Sequence, residues 1–478
     1  MLFDRLMESF IPRSMIIEEL SGLYGSAVLT ELAEINLLYD IYRNGRDFPA
    51  EGNGDYVPSD MRYKKIKTLI DKEARFMFSK CPDLVIKAKN ASDAEHISAI
   101  QSFVNEVIQK NNFEMKLVRA ARDCFIGKRV ALVCDTLSEG EISLRFSPAQ
   151  EFVYENDAYG KLKKIVFFYG MNNTAEKRSQ RIYKKRYRMD SGECFVSEAV
   201  YDGCGELKEI ILPEQSAGIG YIPAVVILND GLTGDDCGES DVEVLADYER
   251  WYSRLSAADM DSERQGMNPV RYAMDVNPET TKNLSLAAGA FWDLASDIDT
   301  KDNAVGKVGV LESSMSYSAA LTTTLDRLKD SMYEQLDIPN ISAESMKGMI
   351  TSGKTLKAIY WGLIVRCDEK FLAWRPALEF MVKCIVDSAR KNPAVVRFYE
   401  EDPLPDVPYI VRVDNNYPLP EDESEEKATD LSEVAAKTRS LKSYMKKWYN
   451  YTDEEADAEL RQLAVERQIL EDSFDTEV

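Results

Sequence analysis

The sequence predicts an α+β chain of several structural regions, and three observations lead there. Between Tyr317 and Ile385 apolar residues recur every three or four positions, the helical spacing, on either side of a short polar loop. Between Arg129 and Leu228 they alternate with a period near two, in short segments separated by Gly, Asn or Asp, the pattern of antiparallel strands. At 478 residues the chain exceeds one ordinary domain, so two to four regions are expected.

Residues 1 to 80 read as helices. Glu31 to Tyr42 carries Leu32, Ile35, Leu38 and Tyr39 on one face and stops at Arg43-Asn44-Gly45. After a Gly- and Pro-containing loop, Tyr63 to Phe78 places Ile66, Leu69, Ile70, Ala74 and Met77 together, and a strand Leu84-Val85-Ile86 follows Lys80-Cys81-Pro82. Helices over Ala94 to Lys110 and Phe113 to Phe125 lead through Gly127 to the strands. These are expected at Arg129 to Cys134, Glu141 to Phe146, Phe152 to Tyr154, Leu162 to Tyr169, Arg181 to Met189, Cys194 to Tyr201, Leu207 to Leu212 and Ala224 to Leu228, in one antiparallel sheet. The strand from Arg181 is basic with interleaved tyrosines; in so acidic a chain it is expected to be a solvated face rather than a nucleic-acid surface.

Gly231 to Gly238 is a linker. Glu239 to Gln265 is predicted as a helix about 40 Å long at ~1.5 Å per residue, burying Val242, Leu245, Tyr248, Trp251, Tyr252, Leu255 and Ala258. Strands at Val270 to Val276, Ala290 to Leu294 and Val305 to Leu311, with a short helix from Pro278, form a small module. A second helix, 316 to 337, presents Tyr317, Leu321, Leu325, Leu328, Met332 and Leu336 and must end near Pro339. A third, from Lys354 to Lys391, would be roughly 55 Å long and presents Leu356, Tyr360, Leu363, Cys367, Phe371, Trp374, Leu378, Met381 and Ile385. Its period continues past Pro376, which therefore bends the helix without ending it; Pro393 ends it. Val395 to Tyr399 and Tyr409 to Val413 read as strands returning to the sheet. A final helical region follows, with one face running from Leu431 to Trp448 and a capping box at Thr452-Asp453-Glu454-Glu455.

The loop between the second and third helices contains Gly348-Met349-Ile350-Thr351-Ser352-Gly353-Lys354-Thr355, a literal match to the phosphate-cradling G-x-x-x-x-G-K-[ST]. That motif needs an apolar strand entering the first Gly, and Asn340 to Lys347 makes none. It also needs a strand ending in a magnesium-holding Asp, for which Tyr409 to Asp414, interrupted by Arg412, is the candidate. The other reading is a loop that uses Gly348 and Gly353 to turn and start the long helix.

Apolar content of 45% and charged content of 29% suit a soluble globular protein. No apolar run of ~18 residues and no signal-peptide pattern is present, so a cytoplasm-like compartment is expected. The eight cysteines show no C-x-x-C pair and read as buried free thiols. A single histidine, His96, sits among Asp93 and Glu95 and reads as exposed, which leaves no material for Ser-His-Asp chemistry or a His-rich zinc site. A net charge of −23 argues against tight DNA binding but not against DNA passing nearby, since an acidic wall repels a duplex.

A helix ending in Leu336-Asp337-Ile338-Pro339, a polar Gly-containing loop, Ser352-Gly353-Lys354-Thr355-Leu356 and a long helix with Tyr360 and Leu363 resemble the portal proteins of tailed bacteriophages. So do Cys124-Phe125-Ile126-Gly127 before the strands, Ser147-Pro148 between them, and Gly238-Glu239-Ser240-Asp241 at a helix start. The resemblance lies in the order of elements, and it implies a portal-type fold: an α/β wing over 1–238, stem helix 1 over 239–265, a small α/β clip over 266–315 and stem helix 2 over 316–338. A tunnel loop over 339–353, the long helix and returning wing strands over 354–420 and a helical crown over 421–478 complete it. It implies that Ser345, Met346, Lys347, Gly348, Met349, Thr351, Ser352 and Gly353 line a DNA channel. It further implies a ring of twelve subunits in the virion, without catalysis, cofactor, metal or membrane. The implied partners are double-stranded DNA, the large terminase, major capsid and scaffold proteins and a head-tail adaptor. A P-loop NTPase and an acidic cytoplasmic scaffold are the alternatives.

Overall fold

The structure, a computed structural model, describes residues 11–20, 23–45, 58–90, 93–172, 176–234, 237–267, 270–274, 276, 307–311, 316–341, 353–419 and 423–475. The chain divides into two compact units: 1–340 with 362–417, and 341–361 with 418–478.

The first unit opens with α1 (Arg13–Glu19), α2 (Leu23–Asn44), α3 (Lys65–Phe78), β1 (Asp83–Ala88), α4 (Ala94–Lys110) and α5 (Phe113–Gly127). Then come β2 (Arg129–Thr136), β3 (Ile142–Pro148), β4 (Phe152–Asn156), β5 (Leu162–Gly170), β6 (Arg181–Asp190), β7 (Glu193–Asp202), β8 (Leu207–Ser216) and β9 (Ala224–Leu228). The period-two segments are all strands, but they form two sheets where one was expected: β3-β2-β9 and a five-stranded meander β4 to β8, antiparallel throughout. A single 3₁₀ turn at Ala149–Glu151, entered through Pro148, re-aims the chain between them. α1 covers the meander with Met15, Ile16 and Leu20 against Val166, Phe168 and Ile182.

The basic strand β6 is not the solvated face expected of it. Lys184 Nζ lies 2.7 Å from Glu19 of α1, and Lys185 bridges Asp135 and Glu198 at 3.1 Å each. Tyr187 donates to Asp135, while Arg186 and Arg188 reach Glu214 at 3.4 and 3.3 Å. Its alternating side chains enter two acidic environments, one on each side of the sheet.

Next come α6 (Asp241–Met267), β10 (Val270–Met274), β11 (Lys307–Leu311) and α7 (Ser318–Gln335). β10 and β11 pair antiparallel, Val270 opposite Leu311; the expected strand at Ala290 and helix from Pro278 lie outside the described residues. α7 stops as predicted before Pro339. Asp337 adopts the left-handed conformation and Ile338 N–H bonds Tyr333 C=O at 3.0 Å, a Schellman closure with Asp in the usual glycine position.

The expected 354–391 helix is two: α8 (Gly353–Ile359) in the second unit, then α9 (Trp361–Lys391). A Cβ at position 362 would sit 3.3 Å from the Asp337 side chain, so the start of α9 packs closely on the turn that ends α7. α9 passes unbroken through Pro376, which is exposed, so the carbonyl it leaves unpaired can meet water. Its buried face is the predicted one, Leu363, Cys367, Phe371, Trp374, Leu378, Met381 and Ile385, with Trp374 edge-on to Phe78 at 4.9 Å. Val395 to Tyr399 is not a strand but the helix α10 (Pro393–Phe398): Asn392 caps Ala394 N–H at 3.0 Å and Pro393 occupies the first helical position, which outweighs the β preference of two valines. β12 (Tyr409–Asp414) joins β1 in a separate two-stranded sheet, not the larger sheets. This antiparallel pairing is unlike the parallel sheet on which a P-loop is mounted.

In the second unit the single expected face from Leu431 to Trp448 is split between α11 (Glu423–Ala435) and α12 (Leu441–Tyr449), because Lys437 turns left-handed and Ser440 caps Ser443 N–H at 3.1 Å. The capping box forms as expected: Thr452 N–H donates to Glu455 at 2.8 Å and Glu455 N–H to Thr452 Oγ1 at 3.3 Å, opening α13 (Asp453–Asp475). Of the cysteines, Cys124, Cys134, Cys194, Cys367 and Cys384 are buried, while Cys204 and Cys237 are exposed.

Of the face predicted for α6, Val242 and Leu245 are buried as expected, but beyond them the buried side is a different one. Trp251 is 50% exposed, and the buried positions below Ala246 are Glu249, Ser253, Ser256 and Asp261. An extended strap, Ser59 to Lys64, lies along them and runs into the first turn of α3, and the two supply backbone donors: Ile66 N–H of α3 to Glu249 at 2.7 Å, Tyr63 N–H to Ser253 Oγ at 3.3 Å and Ser59 N–H to Asp261 at 3.0 Å. Burial raises the Glu249 carboxyl from 4.5 to about 7, against the opposing pull of the Ile66 N–H and Lys65. Between those two values the folded chain holds a proton that the unfolded chain has lost, so stability falls as pH rises through that window, by on the order of 3 kcal/mol. Thermal unfolding at pH 5 and pH 8 checks this: Glu249→Gln should keep its melting temperature across the interval better than the wild type does.

Candidate functional site

Of the predicted channel loop, Ser345, Met346, Lys347, Gly348, Met349, Thr351 and Ser352 lie outside the described residues, and Gly353 opens α8. The most concentrated chemistry among the described residues is elsewhere, where α6 starts and α9 crosses it.

The phrase Gly238-Glu239-Ser240-Asp241 builds that junction. Gly238 has φ +73°, and a Cβ there would stand 2.4 Å from the Lys128 carbonyl oxygen, so the chain passes the end of α5 only without a side chain. Glu239 N–H then bonds Asn229 C=O at 2.7 Å, and Asn229 Nδ2 returns a bond to Glu239 C=O at 2.8 Å. Ser240 Oγ accepts from Val242 N–H at 3.2 Å as the helix cap and donates to Ile126 C=O at 2.7 Å.

Asp241, the first residue of α6, is buried and meets two cations from α9: Arg366 at 2.7 Å and Lys370 Nζ. Both cations also hold Glu73 of α3, at 2.9 Å from Arg366 Nε and 2.8 Å from Lys370 Nζ. Lys370 Nζ further lies 3.8 Å from the centre of the Phe125 ring of α5. Burial alone would lower the Lys370 pKa, but Asp241 and Glu73 reverse that and hold it above its ordinary value, so the ammonium stays charged. Two cations and two carboxylates thus join α3, α6 and α9, with α5 closing over the top. A second buried pair, Arg129 with Glu31 at 3.0 Å from Nη2, ties α2 to β2 beneath Tyr154, whose ring centre is 5.3 Å away.

Sequence reasoning missed this junction, although a signal was present. Glu73 falls at helical spacing among Ile66, Ile70 and Met77, and Arg366 and Lys370 among Leu363, Cys367 and Trp374. A charge on an apolar face needs a partner on another apolar face.

What these buried charges do is structural: each bonds one helix to another. The chain belongs to the phage portal protein family, for the family described as "Phage portal protein, SPP1 Gp6-like" matches residues 26–469. Among solved structures the chain is similar to one from "Virion of native gene transfer agent (GTA) particle" at 11% identity, covering 73% of this chain and 90% of that one with a TM-score of 0.38. It is similar to "Neck of native GTA particle computed with C12 symmetry" at 9% identity, with 80% and 89% covered and a TM-score of 0.41. For "Neck of empty GTA particle computed with C6 symmetry" the identity is 9%, the coverage 81% and 93% and the TM-score 0.38. No curated protein matches.

Removing one partner from a buried charge network leaves the others uncompensated, at a cost of about 3–5 kcal/mol. Lys370→Met should therefore lower the urea midpoint sharply, whereas Lys383→Met, on the same helix outside the network, should shift it little.

Proposed function

We propose that the chain is the subunit of a portal ring at one capsid vertex, through which phage DNA is packed and ejected. The observation that carries this is the excursion α6-β10-β11-α7. α6, 27 residues and so about 40 Å long, leads directly into β10; β11 pairs back on β10 and leads into α7, which packs along α6. Two helices side by side, joined at one end by a small sheet, are what a stem with a clip at its tip requires. In this reading residues 1–238 are the wing, 239–265 and 316–338 the stem, 266–315 the clip, 339–353 the tunnel loop, 354–420 the long helix and returning wing segment and 421–478 the crown. The clip docks the large terminase and later the head-tail adaptor, and the wing and crown meet major capsid and scaffold proteins. The role is mechanical, without cofactor or turnover, and it is performed in the virion after assembly in the host cytoplasm.

A ring follows if each subunit joins its neighbours through two different faces, because such contacts either close or run on as filaments. Family resemblance sets the expected number at twelve. Light scattering on the purified protein should give a mass near ~12 times 54.2 kDa; a stable monomer at micromolar concentration across several salt concentrations would overturn the ring.

The loop Ser345 to Gly353 is assigned to the channel wall, with Gly348 and Gly353 supplying backbone freedom while DNA passes. Contact there is weak, since Lys347 is the loop's one cation and a single exposed charge cannot hold a duplex at physiological salt. In an in vitro packaging assay Gly353→Val should assemble normally and package poorly, while Lys347→Ala should package far more nearly as wild type. Normal packaging by Gly353→Val would remove the loop from the mechanism.

A further inference from the structure

Neighbouring surfaces along α7 carry opposite charge. On the side facing α3, Lys72 Nζ donates to Tyr333 Oη at 3.2 Å and lies 4.9 Å from its ring centre. Lys65 stands 4.4 Å from the ring centre of Tyr252. Partial burial, and then the charge of Lys329, depress the Lys65 pKa below its ordinary value, so these cations crowd one another. None of Lys65, Lys72 and Lys329 is in an ion pair among the described residues. Tyrosine rings support Lys65 and Lys72, and Glu249 is a carboxylate that acts on Lys65, without an ion pair between them.

On the side of α7 turned away from its buried Met332, Asp326, Asp330 and Glu334 follow one another at i, i+4 and i+8 and line an open surface groove of about 460 Å³. Like charges at that spacing destabilise a helix. Arg327 shares the groove and leaves it net negative by two, three carboxylates against one guanidinium. Each of the two surfaces therefore carries an excess of the charge that the other lacks.

We propose that they are the two halves of the contact between neighbouring copies of this chain, the Lys65, Lys72 and Lys329 surface of one subunit seating against the Asp326, Asp330 and Glu334 groove of the next. The inference rests on the ring reading and specifies its faces. Two unlike surfaces on one subunit make a head-to-tail contact, the kind that closes a ring. The occupant favoured is a second copy and not a duplex, because the acidic groove beside the lysines would repel phosphate while it matches a neighbour's cations.

The test is charge reversal with mixing, on the full chain at ~0.15 M salt, where screening acts beyond ~8 Å. Lys65→Glu with Lys72→Glu makes both surfaces acidic; Asp326→Lys with Asp330→Lys makes both basic. Each doubly substituted chain, folded by circular dichroism and with a melting temperature near wild type, should fail to form rings alone. An equal mixture should restore particles of the wild-type mass, with the two chains alternating. Ring formation by both variants separately would overturn the proposal, and so would failure of the mixture of two folded chains. Normal rings from the Lys65→Glu, Lys72→Glu variant with lost retention on immobilised duplex would overturn it in favour of nucleic acid as occupant. A wild-type chain that makes no ring would instead overturn the ring reading on which it rests.

Discussion

The structure of the first unit depends on one four-charge cluster, Glu73 and Asp241 against Arg366 and Lys370. Each member comes from an element that is already amphipathic and would pack by burial alone, but burial is non-directional and tolerates sliding. The charges do not, because moving α9 by one turn along α6 would separate Lys370 from Asp241 by ~5 Å in a poorly hydrated interior. The cluster thus sets the register between the longest helix and the helix that leaves the body at Asp241. The bonds of Ser240 and Asn229 and the bare backbone at Gly238 fix the exit direction at the same place. A register set by buried charge is specific more than it is stabilising, since well-packed apolar residues of similar volume can match such pairs in stability.

The same preference for polar joints recurs along α6. Glu249, Ser253 and Asp261 face inward; Ser253 and Asp261 take backbone N–H groups from the strap at Ser59 to Lys64, a segment with no ladder partner of its own, and Glu249 takes the Ile66 N–H left free in the first turn of α3. An extended segment laid on a helix must satisfy its donors, and an apolar helix face has no acceptors to offer. The inward polar groups of α6 therefore answer a need of the strap and of the first turn of α3. The aromatic residues that periodicity would have buried are displaced outward, Trp251 among them. This is why the helix was legible in the sequence and its buried side beyond Leu245 was not: periodicity finds a face, but a polar face with a backbone partner from a distant segment leaves no apolar signature.

Legibility followed the locality of the cause. The strands between Arg129 and Leu228, the stop before Pro339, the continuation through Pro376 and the box at Thr452 and Glu455 depend on a few adjacent residues, and the structure agrees at each. The valines at 395 and 396 misled because Asn392 and Pro393 start a helix with stronger local signals than β propensity. The division of the strands between two sheets and the pairing of Tyr409–Asp414 with Asp83–Ala88 depend on long-range packing, which no window contains. The cluster at Glu73 lies between these cases: charges at apolar spacing announce that partners exist without saying which helix holds them.

The placement of the cations also bears on the proposed passage of DNA. A buried pair such as Lys184 with Glu19, or Lys370 with Asp241, is neutral, so burying it leaves the net charge of −23 unchanged. What changes is the number of cations a phosphate can reach. Affinity for a duplex grows with each phosphate neutralised and falls steeply with salt, so a chain that places its most basic strand inside loses contacts while keeping its repulsive field. The interleaved Lys, Arg and Tyr residues of β6, read in the sequence as a solvated face, are instead paired with Asp135, Glu198 and Glu19. The cations of β6 that hold Glu19, Asp135 and Glu198 are engaged within the subunit and are not free for a phosphate.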